Sequence, residues 1–324
     1  MPSAAALRLV ELRQVSSRAL ELLFAEEQQH WREQLYWDYR PSLQLIRRFI
    51  DGHSLAGYVA LADGRAAGYG FYVIEDHKGL IGDLFVSPQY ELATVCGPLL
   101  HELVSAIRQS PGVARIEAQL MPLGSALNAE LAAQGFRLYS RQFMHLPLSG
   151  RAAPPEWPAG LRLENWDPRH VEPCARLIRL AYANHLDSEI NDQYCSESGA
   201  LRFLRNITLL PGCGRFLPEA SFVVYAPDRQ MIGAVTNSEV SEGVAHTTQI
   251  CVAPDYQRQG LGRRLMEVAM ATLAARRFRA LTLTVTSLNA AAVQLYEQLG
   301  FRTVHTFAAA VWRAPVAGPL GSRQ

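Results

Sequence analysis

The sequence predicts a mixed α/β fold built twice in tandem, with antiparallel strands leading into a βαβ crossover in each copy. Three observations carry that expectation. The chain matches itself: DLFVSPQYELATVCGPLL (83–100) lies over QICVAPDYQRQGLGRRLM (249–266), QGFRLY (134–139) over LGFRTV (299–304), LADGRAAGYG (61–70) over APDRQMIGAV (226–235), and LRLVEL (7–12) over GLRLEN (160–165). Four matches in one order describe a duplicated domain of about 150 residues, a period far too long for a solenoid. Between the copies, SGRAAPPEWPAG (149–160) has the Pro, Gly and Ala content of a linker. The expected division is therefore a domain at 1–148, a linker at 149–160, a second domain at 161–312 and a tail at 313–324.

The second copy shows its elements most clearly. LRLENW (161–166) reads as a strand, and Asp167-Pro168 then supplies an N-cap and a proline at the first helical position. Val171, Cys174, Ala175, Ile178 and Ala181 follow at helical spacing. A second helix is expected around 198–207. SFVVYAPDRQMIGAVTNSEV (221–240) reads as a hairpin, and VAHTTQICV (244–252) as the next strand of that meander. Leu261, Leu265, Val268, Thr272 and Leu273 mark one face of a helix, ALTLTVT (280–286) is a β-branched strand, and Asn289 opens a short helix ending at Gly300.

Composition narrows the function. Of 324 residues 49% are hydrophobic and the formal net charge is +1, with no dense Lys/Arg block, which argues against a dedicated nucleic-acid binder. The five cysteines are scattered without CxxC spacing, so neither a disulfide framework nor a metal site is expected. No run approaches the roughly 18 apolar residues of a membrane span, and the first apolar stretch holds Arg8 and Glu11. The expectation is a cytoplasmic protein that does not engage membranes, of unknown oligomeric state.

The stretch ICVAPDYQRQGLGRRLM (250–266) carries the chemistry. A buried strand passes through a proline into a helix whose start holds Gly260 and Gly262, each costing roughly 1 kcal/mol against Ala inside a helix. The first N–H groups of a helix lack intrahelical partners, and that end is partly positive, so a bare backbone there receives an anion. Gln257, Arg258 and Gln259 add donors and charge. The pattern suits a pyrophosphate; tight packing of helix on strand is the other explanation for the glycines. A P-loop is excluded because Arg263-Arg264 follows Gly262, and a dinucleotide fingerprint because Leu265 stands where a third glycine belongs.

These residues closely resemble the acyl-CoA motif of the GCN5-related N-acetyltransferase (GNAT) superfamily, (R/Q)-x-x-G-x-(G/A). NAAAVQLYEQLGF (289–301), about 30 residues on, resembles that family's second signature. The resemblance covers roughly 160–312, and the first copy shares only the framework, so the whole looks like a tandem member with a degenerate N-terminal copy. It implies two GNAT-like acyl-CoA N-acyltransferase domains and transfer of an acetyl group from acetyl-CoA to an amine acceptor, a small molecule or a peptide N-terminus. It implies that Ile250, Cys251 and Val252 pair with the pantetheine arm, with an N–H of Val252 or Cys251 on the thioester oxygen. Residues 258–263 (Arg258, Gln259, Gly260, Leu261, Gly262, Arg263) would hold the pyrophosphate, with Arg263 or Arg264 adding charge or simply being solvated. Asn289 matches the residue that contacts the coenzyme arm, and is also a plain N-cap. Tyr296 matches a general acid for the leaving thiolate, although its position alone, beside Ala292 and Leu299, reads as a helix-face core tyrosine.

An amine near pKa 10 must lose a proton before it attacks. His246, Glu239 and Glu242 are the sequence's weak candidate bases. His246 shares strand parity with Thr248 and Ile250 and so is expected to face the cleft. In the first copy Thr94 and Cys96 replace the two glycines, Glu91 replaces Gln257, Pro98 falls in the first helical turns, and Leu131 stands at the place of Tyr296. That copy is expected to keep the fold and lose the coenzyme. QQHWREQLYWDYR (28–40) reads as packing rather than a ligand pocket, and HLDSEINDQYCSESG (185–199) as a polar, acidic loop suited to a cationic amine. The competing function is a non-catalytic acyl-CoA sensor or partner-binding module.

Overall fold

The structure, a computed structural model, describes residues 7–148 and 156–315. Residues 149–155 of the expected linker and 316–324 of the expected tail lie outside the described residues. In chain order the elements are β1 (Leu7–Glu11), α1 (Glu21–Leu35), α2 (Arg40–Asp51), β2 (Ala56–Ala62), β3 (Arg65–Glu75), β4 (Lys78–Val86), α3 (Leu92–Gln109), β5 (Arg115–Gln119), α4 (Asn128–Ala133) and β6 (Arg137–Pro147). They continue with β7 (Arg162–Asn165), α5 (Val171–Ala181), α6 (Leu186–Ile190), α7 (Glu197–Leu209), β8 (Arg215–Phe216), β9 (Phe222–Tyr225), β10 (Met231–Ser241), β11 (Val244–Val252), α8 (Leu261–Ala275), β12 (Ala280–Thr286), α9 (Ala290–Gln298) and β13 (Arg302–Arg313).

Two compact units form, each with its own core, and they do not follow a single cut of the chain. One takes in the chain up to Glu27, Ile46–Tyr139 and the chain from Ala308 on; the other takes in Gln28–Leu45 and Ser140–Phe307. The first unit's sheet runs β1-β2-β3-β4-β5-β13, closed by antiparallel pairing of Ala309–Arg313 with Gln119–Arg115. The second runs β6-β12-β11-β10-β9-β7, closed by pairing of Arg141–Pro147 with Thr286–Ala280, and β8 adds to β10. Each sheet therefore ends on a strand that the expected division at 148 and 161 would have given to the other domain. QGFRLY and LGFRTV both follow a helix with a Gly-Phe stop, so the two strands enter their sheets with the same local pattern. Register and partner are set by the face each strand buries, and a repeat makes those faces alike.

Within the second unit the core explains the elements. Asp167 Oδ1 accepts the Arg169 N–H at 3.0 Å, capping the turn that starts α5. Cys174, Ala175, Leu177 and Ile178 of α5 are buried, as are Leu261, Leu265, Met266, Val268, Ala269, Met270 and Leu273 of α8. The spacing of three and four puts each set on one helical face. Gly233 of β10 lets α8 come close: a Cβ there would lie 3.1 Å from Leu265 Cδ1. The aromatic stretch 28–40 is packing in this unit, with Trp31, Trp37 and Tyr39 all buried and Trp31 stacked on Tyr39 at 4.5 Å. Among the described residues no helix is long and apolar enough to cross a membrane.

Candidate functional site

The site begins where two parallel strands part. β11 and β12 pair only from Val244↔Ala280 to Thr247↔Leu283. Beyond that point β11 stays with β10 as far as Val252↔Gly233, while β12 stays with β6 as far as Thr286↔Arg141. Thr248–Val252 and Thr284–Thr286 thus border a gap. The cause is local: Thr247 pairs with Asn237 and Gln249 with Thr236, leaving Thr248 as a bulge, and a bulge bends its strand. The first unit has the same device. β4 and β5 pair only from Lys78↔Arg115 to Ile81↔Ala118, with Gly82 bulged. The splay belongs to the repeated fold, so the two units differ in what lines it.

Strand alternation decides which backbone groups reach the gap. Ala253 N–H donates to Ile232 C=O at 2.8 Å, and with Cys251 opposite Ala234 the ladder turns Cys251 toward β10 and turns Ile250 and Val252 away from it. Of the three expected strand residues, Ile250 and Val252 therefore offer their N–H groups to the gap and Cys251 does not. The Cys251 thiol is buried against Cys174. Gln249 occupies the Ile250 N–H: its Oε1 accepts it at 2.9 Å and also accepts the Tyr182 hydroxyl at 2.9 Å. The same hydroxyl lies 3.2 Å from the Ile250 C=O.

At the far end of β11 the chain makes the glycine turn. Pro254–Tyr256 form one turn of 3-10 helix, Arg258 takes φ 59° and Gly260 φ 81°, and α8 starts at Leu261. Gly260 is the N-cap rather than part of the first turn, and its left-handed backbone is what glycine supplies there. The first intrahelical bond runs from Arg264 N–H to Gly260 C=O at 3.1 Å, leaving the N–H groups of Leu261, Gly262 and Arg263 without intrahelical acceptors. Among the described residues no atom lies within 4 Å of a Cβ built on Gly260, and one on Gly262 meets only Leu295 Cδ2 and Val252 Cγ2 at 3.9 Å. The fold leaves room for a side chain at Gly262, so close packing does not account for that glycine; the bare cradle fits an anion. Gln257 and Gln259 build the loop, donating to Val252 C=O at 3.0 Å and Asp255 C=O at 2.7 Å. Arg263 holds Gln298 and lies 3.8 Å from Glu267, and Arg264 donates to the Glu156 C=O at 2.6 Å. Arg258 is exposed and makes no hydrogen bond or ion pair among the described residues.

Asn289 caps α9, its Oδ1 accepting the Ala292 N–H at 3.2 Å. Its Nδ2 lies 3.4 Å from His185 Nε2. Tyr296 is buried, edge-on to Phe301 at 5.8 Å, and its hydroxyl makes no hydrogen bond among the described residues. Burial, then the nearby Asp187 carboxylate, push its pKa well above that of an ordinary phenol, so it is held protonated. Asp187 Oδ1 accepts the Thr286 hydroxyl at 2.5 Å at the end of β12, and its Oδ2 lies 3.7 Å from His185 Nδ1. His185, Asp187, Tyr182 and Gln249 were not singled out by sequence reasoning. The only signal was the polar stretch 185–199 as a whole; Gln249 sits in a strand with nothing to distinguish it.

The expected bases do not sit at the splay. His246 pairs with Thr282 in the closed part of the parallel ladder and is buried, with the Trp37 ring at 5.2 Å and the Phe143 ring at 5.7 Å. Burial, with the Arg141 charge added, pulls its pKa down to about 3. The parity argument fails because the Thr248 bulge breaks the alternation between His246 and Ile250. Glu239 is held by Arg215 and accepts the Gly243 N–H at 3.3 Å, and Glu242 lies in the adjoining turn, both at the closed end of the strands. Among the described residues no group of three or more His, Cys, Asp or Glu is placed to hold a metal ion.

Comparison with known proteins agrees with this geometry. Residues 188–301, which hold the splay, the glycine turn and α9, match the model of the Acetyltransferase (GNAT) family. Residues 188–301 thus belong to the GNAT family. It is 56% identical over 52 residues to the [ribosomal protein bS18]-alanine N-acetyltransferase of Escherichia coli K12, a match over 16% of this chain and 35% of that one. The chain thus spans about a third of the length of that curated relative. It is 29% identical over 258 residues to the mycothiol acetyltransferase of Thermobispora bispora, covering 77% of this chain and 81% of that one. A tandem GNAT protein from the clavulanic acid biosynthesis pathway superposes with a TM-score of 0.63 at 14% identity, over 97% of this chain and all (100%) of that one, a likeness of fold.

Proposed function

We propose that the chain is an N-acetyltransferase whose second unit takes an acetyl group from acetyl-CoA and passes it to an amine. The observation that carries this reading is the bare N-terminus of α8 at the mouth of the β11/β12 splay. Its free N–H groups and the positive helix end suit a pyrophosphate. The first unit keeps the splay and loses the cradle. There α3 starts at Leu92 and runs through Thr94 and Cys96, so the N–H groups that α8 leaves bare are taken into a longer helix. We read that unit as a degenerate copy without the coenzyme.

The pantetheine arm would lie along Ile250 and Val252, bringing the thioester toward Gln249, Tyr182 and Tyr296. Tyr296, kept protonated, is placed to give its proton to the departing thiolate. The attacking ammonium gives its proton to water in the splay; His185, half-buried beside Asn289, uses its Nδ1 to accept the Asp187 N–H and holds the start of α6. The similar proteins' names, an alanine N-acetyltransferase and a mycothiol acetyltransferase, point to a primary amine on a small molecule or on a peptide N-terminus.

The test is release of free CoA from acetyl-CoA in the presence of small primary amines, a thiol-bearing amine and an alanine-starting peptide. Turnover with at least one is expected, and Tyr296→Phe should lower kcat about 10²-fold while leaving coenzyme affinity within about threefold. Tight acetyl-CoA binding with no release above background across the panel supports a binding module instead.

A further inference from the structure

Gln249 holds an unusual position in the splay. It is 6% exposed, and its Oε1 takes two donors, the Ile250 N–H and the Tyr182 hydroxyl. An amide N–H can only donate, so the Ile250 bond fixes which end of the side-chain amide faces it. The other end, Nε2, is buried and has no partner among the described residues. A buried donor left without an acceptor costs about 1–3 kcal/mol, so such a group calls for an acceptor that the protein itself does not provide.

The repeat shows that this donor is not needed for the fold. Asp83 stands where Gln249 stands, one residue after the corresponding bulge, and its Oδ1 accepts the Leu84 N–H at 2.8 Å. Both units therefore cap the backbone N–H after the bulge with the preceding side chain. A carboxylate suffices for the cap in the first unit. The second unit uses an amide, which makes the same cap and adds an N–H.

Position identifies the acceptor. The glycine turn receives the phosphates beyond Val252, and each step back along β11 moves about 3.3 Å toward the reacting end. Gln249 lies deepest on that path and is joined to Tyr182. Resting on the function proposed above, we infer that the Gln249 side-chain amide donates through Nε2 to the acyl carbonyl oxygen of the bound thioester. It takes over from the Ile250 N–H, which its own Oε1 occupies. A donor aimed at that oxygen stabilises the negative charge that grows there when the amine attacks. Gln249 is then a catalytic residue, and Tyr182 a positioning residue that holds its amide in place.

The test needs no acceptor amine. The protein is labelled with 15N at its glutamine side chains and titrated with acetyl-CoA and, separately, with CoA. The Gln249 NH2 resonance is assigned by its loss in Gln249→Glu or by its contacts with the Tyr182 ring. Acetyl-CoA should move one of its protons downfield, and CoA should leave it in place. In the parent, the carbonyl of [1-13C]acetyl-CoA should shift downfield on binding. In Gln249→Glu, which keeps the cap, that shift should vanish while Kd stays within about threefold. Equal movement with both coenzymes, or no movement with either despite binding seen by calorimetry, overturns the inference and leaves the proposed function standing. A parent protein that binds neither coenzyme overturns both.

Discussion

Gly260 stands at φ 81° just outside α8, whereas Thr94, its counterpart in the repeat, lies inside α3. One residue type thus separates a loop that exposes three backbone donors from a helix that starts earlier and consumes them. Gly260→Thr forces a β-branched residue into the left-handed region at about 1–2 kcal/mol. It should lower the melting temperature by a few degrees and weaken acetyl-CoA binding more than tenfold. Thermal melts and calorimetry on the same preparation separate the two effects. Unchanged affinity would count against the cradle.

His246 sets an acid limit on stability rather than a rate. Its folded pKa of about 3 lies below the ordinary 6.5. Between those values the unfolded chain takes up a proton that the folded chain does not, so stability is lost as pH falls through that window. Thr282 already donates its hydroxyl proton to Ala245 C=O at 3.1 Å, so His246 Nδ1 donates to Thr282 Oγ1 at 2.9 Å and the ring is neutral. His246→Leu should flatten the stability profile between pH 6.5 and 3, read by denaturant melts across pH, and leave the pH dependence of kcat unchanged.

The second unit's elements were legible where the signal is local. The strands at 244–252 and 280–286, the Asp167 and Asn289 caps and the stop at Gly300 follow from alternation and capping chemistry within a few residues. The glycine pair was legible because glycine is costly in a helix and absent from the repeat. What sequence missed depends on contacts distant along the chain. The bulge at Thr248 reverses the facing of His246, and Trp37, more than 200 residues away, covers it. The exchange of closing strands was hidden because the repeat makes both strands read alike. Gln249 became visible only when its orphaned amide nitrogen and its counterpart Asp83 were seen in place.

His185 is a cap rather than the base. Its Nδ1 accepts the Asp187 N–H at 3.1 Å at the start of α6, so the neutral ring carries its proton on Nε2 and has no lone pair free for the ammonium proton. His185→Asn keeps a good N-cap and removes the imidazole, so the fold and the acetyl-CoA affinity should be preserved. The value of kcat/KM for the amine is expected to stay within about threefold of the parent. A fall of about 10²-fold, restored in part by added imidazole, would return the proton transfer to His185.

The most direct test of the central claim, that the start of α8 in the second unit holds the coenzyme, is acetyl-CoA binding by calorimetry to the parent and to Gly262→Asp. An aspartate in the first turn favours the helix dipole, and the site has room for its Cβ, so stability should hold or rise. The same carboxylate would occupy the anion cradle. The account predicts near 1:1 binding in the parent and a loss of at least a hundredfold in the variant with the melting temperature maintained. Equal affinity in the two proteins would contradict it.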